Sequence, residues 1–115
     1  MWEVEYTDEF ENWWNSLTAP EQRRITAAVE RLEEDGPALS RPLADTLEAS
    51  SFPNMKELRP PGSSIRILFA FDPRRVAILL LGGDKAGRWS TFYDEMIPRA
   101  DRLYKEHLEQ IQRER

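Results

Sequence analysis

The sequence predicts an α+β fold, a small antiparallel sheet backed by helices in the order β-α-α-β-β-β-α. Three observations carry that expectation. Residues 2–6 alternate apolar and acidic side chains, the period-two pattern of a half-buried strand. Two apolar stripes of helical period then follow, divided by a helix-start signal at Thr18-Ala19-Pro20-Glu21. Three strand-like segments succeed one another between Met55 and Lys85, ahead of a last amphipathic stretch.

In chain order, Trp2, Val4 and Tyr6 share one face of the first strand, with Glu3 and Glu5 on the other. Thr7 or Asp8 caps a helix through Leu17, with Phe10, Trp13 or Trp14, and Leu17 turned inward. Adjacent tryptophans cannot both face the core of one helix, so one is expected at an edge, under a loop or under a partner. Thr18 and Glu21 form a capping box, and Pro20 is harmless in a first turn because its missing N–H has no helical partner there. This second helix carries Ile25, Ala28, Val29 and Leu32 on one stripe and stops at Gly36-Pro37. Residues 36–54 read as a long, apolar-studded connection with one helical turn near Leu43 to Leu47. The strands Met55–Arg59, Ser64–Phe71 and Val76–Lys85 are separated by Pro60-Pro61-Gly62 and by Asp72-Pro73-Arg74-Arg75, with Pro73 set for the second turn position. Trp89 to Met96 is ambiguous. A helix is expected from Pro98 onward, with Ala100, Leu103, Tyr104, His107, Leu108 and Ile111 along one face. His107 on that stripe reads as a half-buried, hydrogen-bonded structural residue.

A length of 115 residues suits a single domain, here taken as residues 1–115. The absence of cysteine excludes disulfides and thiolate metal sites, and one histidine argues against an imidazole-based metal site; no cofactor is expected. The longest apolar run, Val76 to Leu81, is far too short for a membrane span, and the N-terminus lacks the pattern of a signal peptide, so a cytoplasmic location is expected. The net charge of −5 opposes generic nucleic-acid binding, but it is unevenly spread. Residues 1–50 carry a net −8, residues 51–92 a net +4, and residues 93–115 a net −1.

That basic middle is the candidate site. Lys56, Arg59, Arg66, Arg74, Arg75, Lys85 and Arg88 are accompanied by Trp89, Phe92 and Tyr93. Cationic side chains bind phosphate oxygens and stabilise charge growing on phosphorus, while aromatic rings stack on unpaired bases. Taken singly, each basic residue is more simply a solubility device on an exposed strand. Arg66 differs: between Ile65 and Ile67 in a mid-sheet strand, it must point to the face opposite the isoleucines. Gly82-Gly83-Asp84-Lys85 lacks the glycine spacing and the Ser or Thr of a phosphate loop, and a turn explains both glycines.

Met55-Lys56-Glu57-Leu58-Arg59-Pro60, Ile65-Arg66-Ile67-Leu68-Phe69, Ile78-Leu79-Leu80-Leu81-Gly82-Gly83-Asp84-Lys85, and Phe92-Tyr93 leading into Ala100-Asp101-Arg102-Leu103-Tyr104 together resemble the RelE/HigB-type toxins of bacterial type II toxin–antitoxin systems. The resemblance is strongest to the HigB-like, phage-associated branch of the RelE/ParE superfamily. It implies a RelE-like fold and a ribosome-dependent endoribonuclease that cuts translated messenger RNA. In that chemistry the ribose 2′-OH attacks the adjacent phosphate. It also implies catalytic roles for Lys56 (base or phosphate clamp), Arg66 (phosphate), Lys85 (acid or charge stabiliser) and Tyr93 (base stacking or 2′-OH orientation). Arg59, Arg74, Arg75 and Arg88 would contact RNA or the ribosome. The implied partner is a cognate antitoxin, a helix-turn-helix protein of HigA type, bound at the helical hairpin or over the basic face. Against the pattern that the resemblance implies, the chain departs in being net acidic and in an insertion expected around Ala86 to Ser90.

Two other functions fit the same scaffold. A ParE-like inhibitor of DNA gyrase would act through protein contacts, with scattered basic residues and a functional last helix. A degenerate, non-catalytic interaction protein would rely on the acidic N-terminal half. The nuclease reading alone requires Lys56, Arg66, Lys85 and Tyr93 to converge.

Overall fold

A computed structural model describes residues 1–114. The elements are β1 (Val4–Tyr6), α1 (Asp8–Asn15), α2 (Ala19–Asp35), a short 3-10 turn (Gly36–Ala38), β2 (Ala44–Thr46), β3 (Lys56–Leu58), β4 (Ile65–Phe71), β5 (Ala77–Asp84) and α3 (Phe92–Arg113). The sheet order is β1-β5-β4-β3-β2. The β2-β3-β4-β5 part is antiparallel, and β1 adds a parallel edge against β5. The fold is α+β, as expected.

Alternation along the strands makes two cores, one on each face of the sheet. Ile67, Phe69 and Leu79 meet Phe10, Ile25 and Leu32 of α1 and α2. Met55, Leu68 and Leu80 meet Phe92, Met96 and Leu103 of α3. Burying each such side chain contributes about 1.5–3 kcal/mol. A bulge breaks the β4–β5 register: Leu68 faces Leu81 while Phe69 faces Leu79. Leu80 is the extra residue, and both Leu80 and Leu81 fall in the α3 core.

The helix starts are built as their sequences require. Thr7 caps α1 by accepting from the Phe10 N–H at 3.0 Å, and its hydroxyl donates to the Leu80 carbonyl at 2.7 Å, pinning α1 to β5. Thr18 and Glu21 form the expected capping box. Both adjacent tryptophans are half-buried. Trp13 packs against β5, where a Cβ at Gly82 would clash with its indole ring. Gly82→Ala is therefore expected to displace Trp13 and to cost about 1–3 kcal/mol, measured by urea unfolding.

Two local expectations are corrected. The helical turn near Leu43 to Leu47 is absent: residues 44–46 form β2, whose Ala44, Asp45 and Thr46 pair with Leu58, Glu57 and Lys56. Leu43 and Leu47 are held to β3 instead, through Arg59 N–H to the Leu43 carbonyl and Leu47 N–H to the Met55 carbonyl. Nor does the last helix wait for Pro98: α3 starts at Phe92 and runs through the proline. Pro98 sits on the solvent side, where water can satisfy the carbonyl that loses its N–H partner.

Candidate functional site

Four of the central residues come from four different elements. β3 supplies Glu57, β4 supplies Arg66, the residue after β5 is Lys85, and the first turn of α3 supplies Tyr93. All four lie on the α3 face of the sheet, beside a cleft of about 510 Å³ lined by Asp45, Leu47, Glu57, Arg59, Lys85 and Tyr93.

Glu57 is the hub and is only 2% exposed. Its Oε1 accepts the Tyr93 hydroxyl at 2.6 Å, and Arg66 Nε lies 3.7 Å from the same oxygen. Its Oε2 accepts from Arg59 Nη2 at 2.9 Å and Nε at 3.3 Å. Lys85 Nζ donates to the Tyr93 hydroxyl oxygen at 3.2 Å and sits between two rings, 4.9 Å from the centre of Tyr93 and 4.5 Å from that of Trp89. Arg66 Nη1 donates to the carbonyls of Ile65 (2.8 Å) and Ser63 (3.3 Å), which leaves its buried Nε without a hydrogen-bond partner. Arg59, Arg66 and Lys85 thus surround the Glu57 carboxylate, while Arg41, Asp45 and Glu48 complete the charged lining of the cleft.

The electrostatics follow from that packing. Burial pushes the Tyr93 phenol up to about 12, and its bond to Glu57 adds to the rise, so Tyr93 is a neutral hydrogen-bond donor at physiological pH. Burial, and then repulsion from Arg66, hold the Lys85 ammonium below the ordinary lysine range, with Glu57 opposing. A lysine so placed releases its proton more readily than one in water.

Of the residues singled out from sequence, Arg66, Lys85 and Tyr93 are brought together, with Arg59 at their edge. Lys56 is not. It pairs in register with Phe69, which packs in the α1/α2 core, and so points to the opposite face from Glu57. Arg74 and Arg75 lie in the β4–β5 turn, roughly 20 Å away along a seven-residue strand. Arg74 is engaged by Glu5 and by Asp72, each at 2.8 Å, and Arg75 stacks on Trp2. Arg88 is at the cleft end of the molecule, where it pairs with Glu95 and covers the Phe92 ring. His107 is half-buried and bonded to Asp72 at 2.8 Å, a structural role as expected. Sequence reasoning missed Glu57, although its place two residues from buried Met55 on one strand face was a usable signal. Among the described residues no group of three or more His, Cys, Asp or Glu side chains could hold a metal ion, and no helix is long and apolar enough to cross a membrane.

Residues 12–105 match the family of phage-derived Gp49-like proteins (DUF891). The chain belongs to the Gp49-like family. This Gp49-like protein is 57% identical over 91 residues to the candidate toxin HigB3 of Mycobacterium tuberculosis (strain ATCC 25618 / H37Rv), covering 79% of the chain and 80% of HigB3. It is 52% identical over 103 residues to the candidate toxin HigB2 of the same organism, covering 87% of the chain but only 51% of HigB2, about half that protein's length. The RelE/HigB resemblance read from the motifs is thereby shown. Solved structures share the fold. An Escherichia coli RelE toxin mutant in the free state superposes with a TM-score of 0.64 at 14% identity, covering 85% of this chain and 96% of that one. A chain of the archaeal RelE–RelB complex from Pyrococcus horikoshii OT3 gives 0.61 at 18% identity, covering 76% of this chain and 97% of that one.

Proposed function

We propose that this Gp49-like protein is the single-domain toxin of a type II toxin–antitoxin module, acting in the cytoplasm by cleaving translated messenger RNA on the ribosome. The observation that carries the nuclease reading is the Glu57 carboxylate held among Arg66, Arg59, Tyr93 and Lys85 at one cleft. The names of its HigB relatives and the toxin–antitoxin complexes among its structural neighbours support the module, with a HigA-like, helix-turn-helix antitoxin as partner.

The reaction is in-line attack of a ribose 2′-OH on the adjacent phosphorus. The bond to O2′ forms, the bond to the 5′ oxygen of the next nucleotide breaks, and a 2′,3′-cyclic phosphate remains. Tyr93 is half-buried at the cleft and relays the proton: its oxygen takes the 2′-OH proton while its own passes to Glu57 Oε1. Arg66 stabilises the charge that grows on phosphorus, and Lys85 protonates the leaving oxygen. Lys56, on the far face, takes no part in this step, and Arg88 is paired with Glu95 outside the cleft lining. Arg74 and Arg75 are committed to Glu5, Asp72 and Trp2.

Expression in a bacterial host tests this, with messenger RNA ends mapped by primer extension. Growth arrest with new ends inside translated frames is expected for the wild type and is lost in Arg66→Ala and Lys85→Ala. Removing a charge-stabilising donor of this kind lowers the rate about 10²–10³-fold. Arrest without new ends, unaffected by either substitution, would point to gyrase or another protein target.

Trp89 is 62% exposed and stacks against the Lys85 ammonium beside the cleft. A base stacked on its outer face would gain about 1–3 kcal/mol. Trp89→Ala is expected to raise KM for ribosome-bound message with little change in kcat, and Trp89→Phe to restore most of the loss.

A further inference from the structure

A second concave surface lies on the α1/α2 face, away from the Glu57 cleft. It is a groove of about 410 Å³ between β1, α1 and α2. Val4, Tyr6, Phe10, Trp14 and Val29 give it an apolar lining, and Tyr6 is 57% exposed, unusual for so large a ring. Tyr6, Phe10 and Trp14 form a continuous aromatic run, with ring centres 6.1 and 6.4 Å apart.

Two further features define what fits there. The first is the backbone. β1 is the edge strand, and its inner hydrogen bonds run from Ala77 N–H to the Glu3 carbonyl and from Thr7 N–H to the Leu79 carbonyl. The pairing alternates along a parallel strand, so Val4 and Tyr6 turn their N–H and C=O groups outward, beside the groove. The second is charge. Glu11, Glu30 and Glu33 line the rim and no basic residue does. The first 35 residues hold ten acidic and three basic side chains.

We propose that this groove and edge dock an extended, lysine- and arginine-bearing segment of a partner protein. The segment adds a strand beside β1 and places alternate aliphatic side chains against Tyr6, Phe10 and Trp14. A helix would leave the outward groups of Val4 and Tyr6 unpaired, because its own backbone groups are spent internally. Nucleic acid is repelled by the carboxylate rim, and a second copy of this chain would bring the same carboxylates face to face. The cleft reading and this one use opposite faces of the sheet, so either can fail alone.

The test is a backbone-amide NMR titration of the full chain with the peptide acetyl-Lys-Arg-Val-Thr-Leu-Thr-Lys-Arg-amide. Shifts are expected at Val4, Tyr6 and the Trp14 indole. Binding should weaken at least tenfold in the Glu30→Lys/Glu33→Lys double variant, whose remaining spectrum reports an intact fold. Tyr6→Pro, which removes an outward N–H without touching the β1–β5 bonds, should weaken it comparably. The proposal is overturned by no shifts at millimolar peptide, or by shifts confined to the Glu57 cleft. Undiminished binding to the charge-reversed variant, or equal shifts at Val4 and Tyr6 with single-stranded RNA, would overturn it as well.

Discussion

Glu57→Gln is expected to lower messenger RNA cleavage about 10²–10⁴-fold, the range spanned by a positioned proton acceptor. Glutamine keeps the shape and still accepts a hydrogen bond from Tyr93, but cannot take its proton. Tyr93→Phe should fall by a similar factor, since it breaks the same relay at its other end. The two changes act on one 2.6 Å hydrogen bond, so the double variant should be little worse than either single one. Fully additive losses in single-turnover cleavage of ribosome-bound message would refute the relay. Thermal unfolding of Glu57→Gln separates chemistry from folding, because that variant also takes the carboxylate from Arg66 and leaves Arg59 with Asp45 alone.

Asp72→Ala is expected to have the largest effect on stability, about 3–5 kcal/mol, as when a buried charge loses its partner. Asp72 is 4% exposed at the β4–β5 turn. Its carboxylate accepts from Arg74 Nε and Nη2, from the backbone N–H groups of Arg74 and Val76, and is bonded to His107 of α3. One side chain therefore shapes the turn and fastens the last helix to it. Burial alone would raise its pKa, but the bonds from Arg74, His107 and the backbone outweigh burial and hold it below the ordinary value. The stability it contributes is thus fully present above the unfolded-state pKa of roughly 4 and is lost as pH falls through the lower folded-state value. Wild type and Asp72→Asn should differ most near neutrality and converge once the pH falls below the lowered folded-state pKa. A constant gap across that range, measured by urea unfolding, would show that the charge is not what matters.

The parts of this molecule legible in sequence were those governed by periodicity and capping. Thr18 and Glu21 announce α2, and two isoleucines flanking Arg66 fix the face on which it lies. The same period-two logic, applied to Met55-Lys56-Glu57, excludes Lys56 from the cleft and admits Glu57. The attraction of a basic residue for phosphate chemistry overrode that geometry. Glu57 itself looks like any solvated strand carboxylate until Tyr93 arrives from α3, 36 positions later in the chain. β2 was illegible for another reason: three residues carry no periodicity, and only pairing with β3 makes Ala44–Thr46 a strand. Pro98 marked a false helix start because sequence alone does not say which side of a helix faces water.

The extra leucine of β5 acts as a parity switch. Up to Leu80, even-numbered residues of the strand face α3; beyond Leu81 the odd-numbered ones do, so Gly83 meets Phe92 and Met96 while Gly82 meets Trp13. Lys85 inherits the new parity and reaches Tyr93. Deleting either leucine would remove the bulge, restore strict alternation along β5 and still leave Lys85 on the α3 face. What the bulge adds is local twist rather than a change of side, so β5 can lose a residue at this one point without carrying the lysine across the sheet.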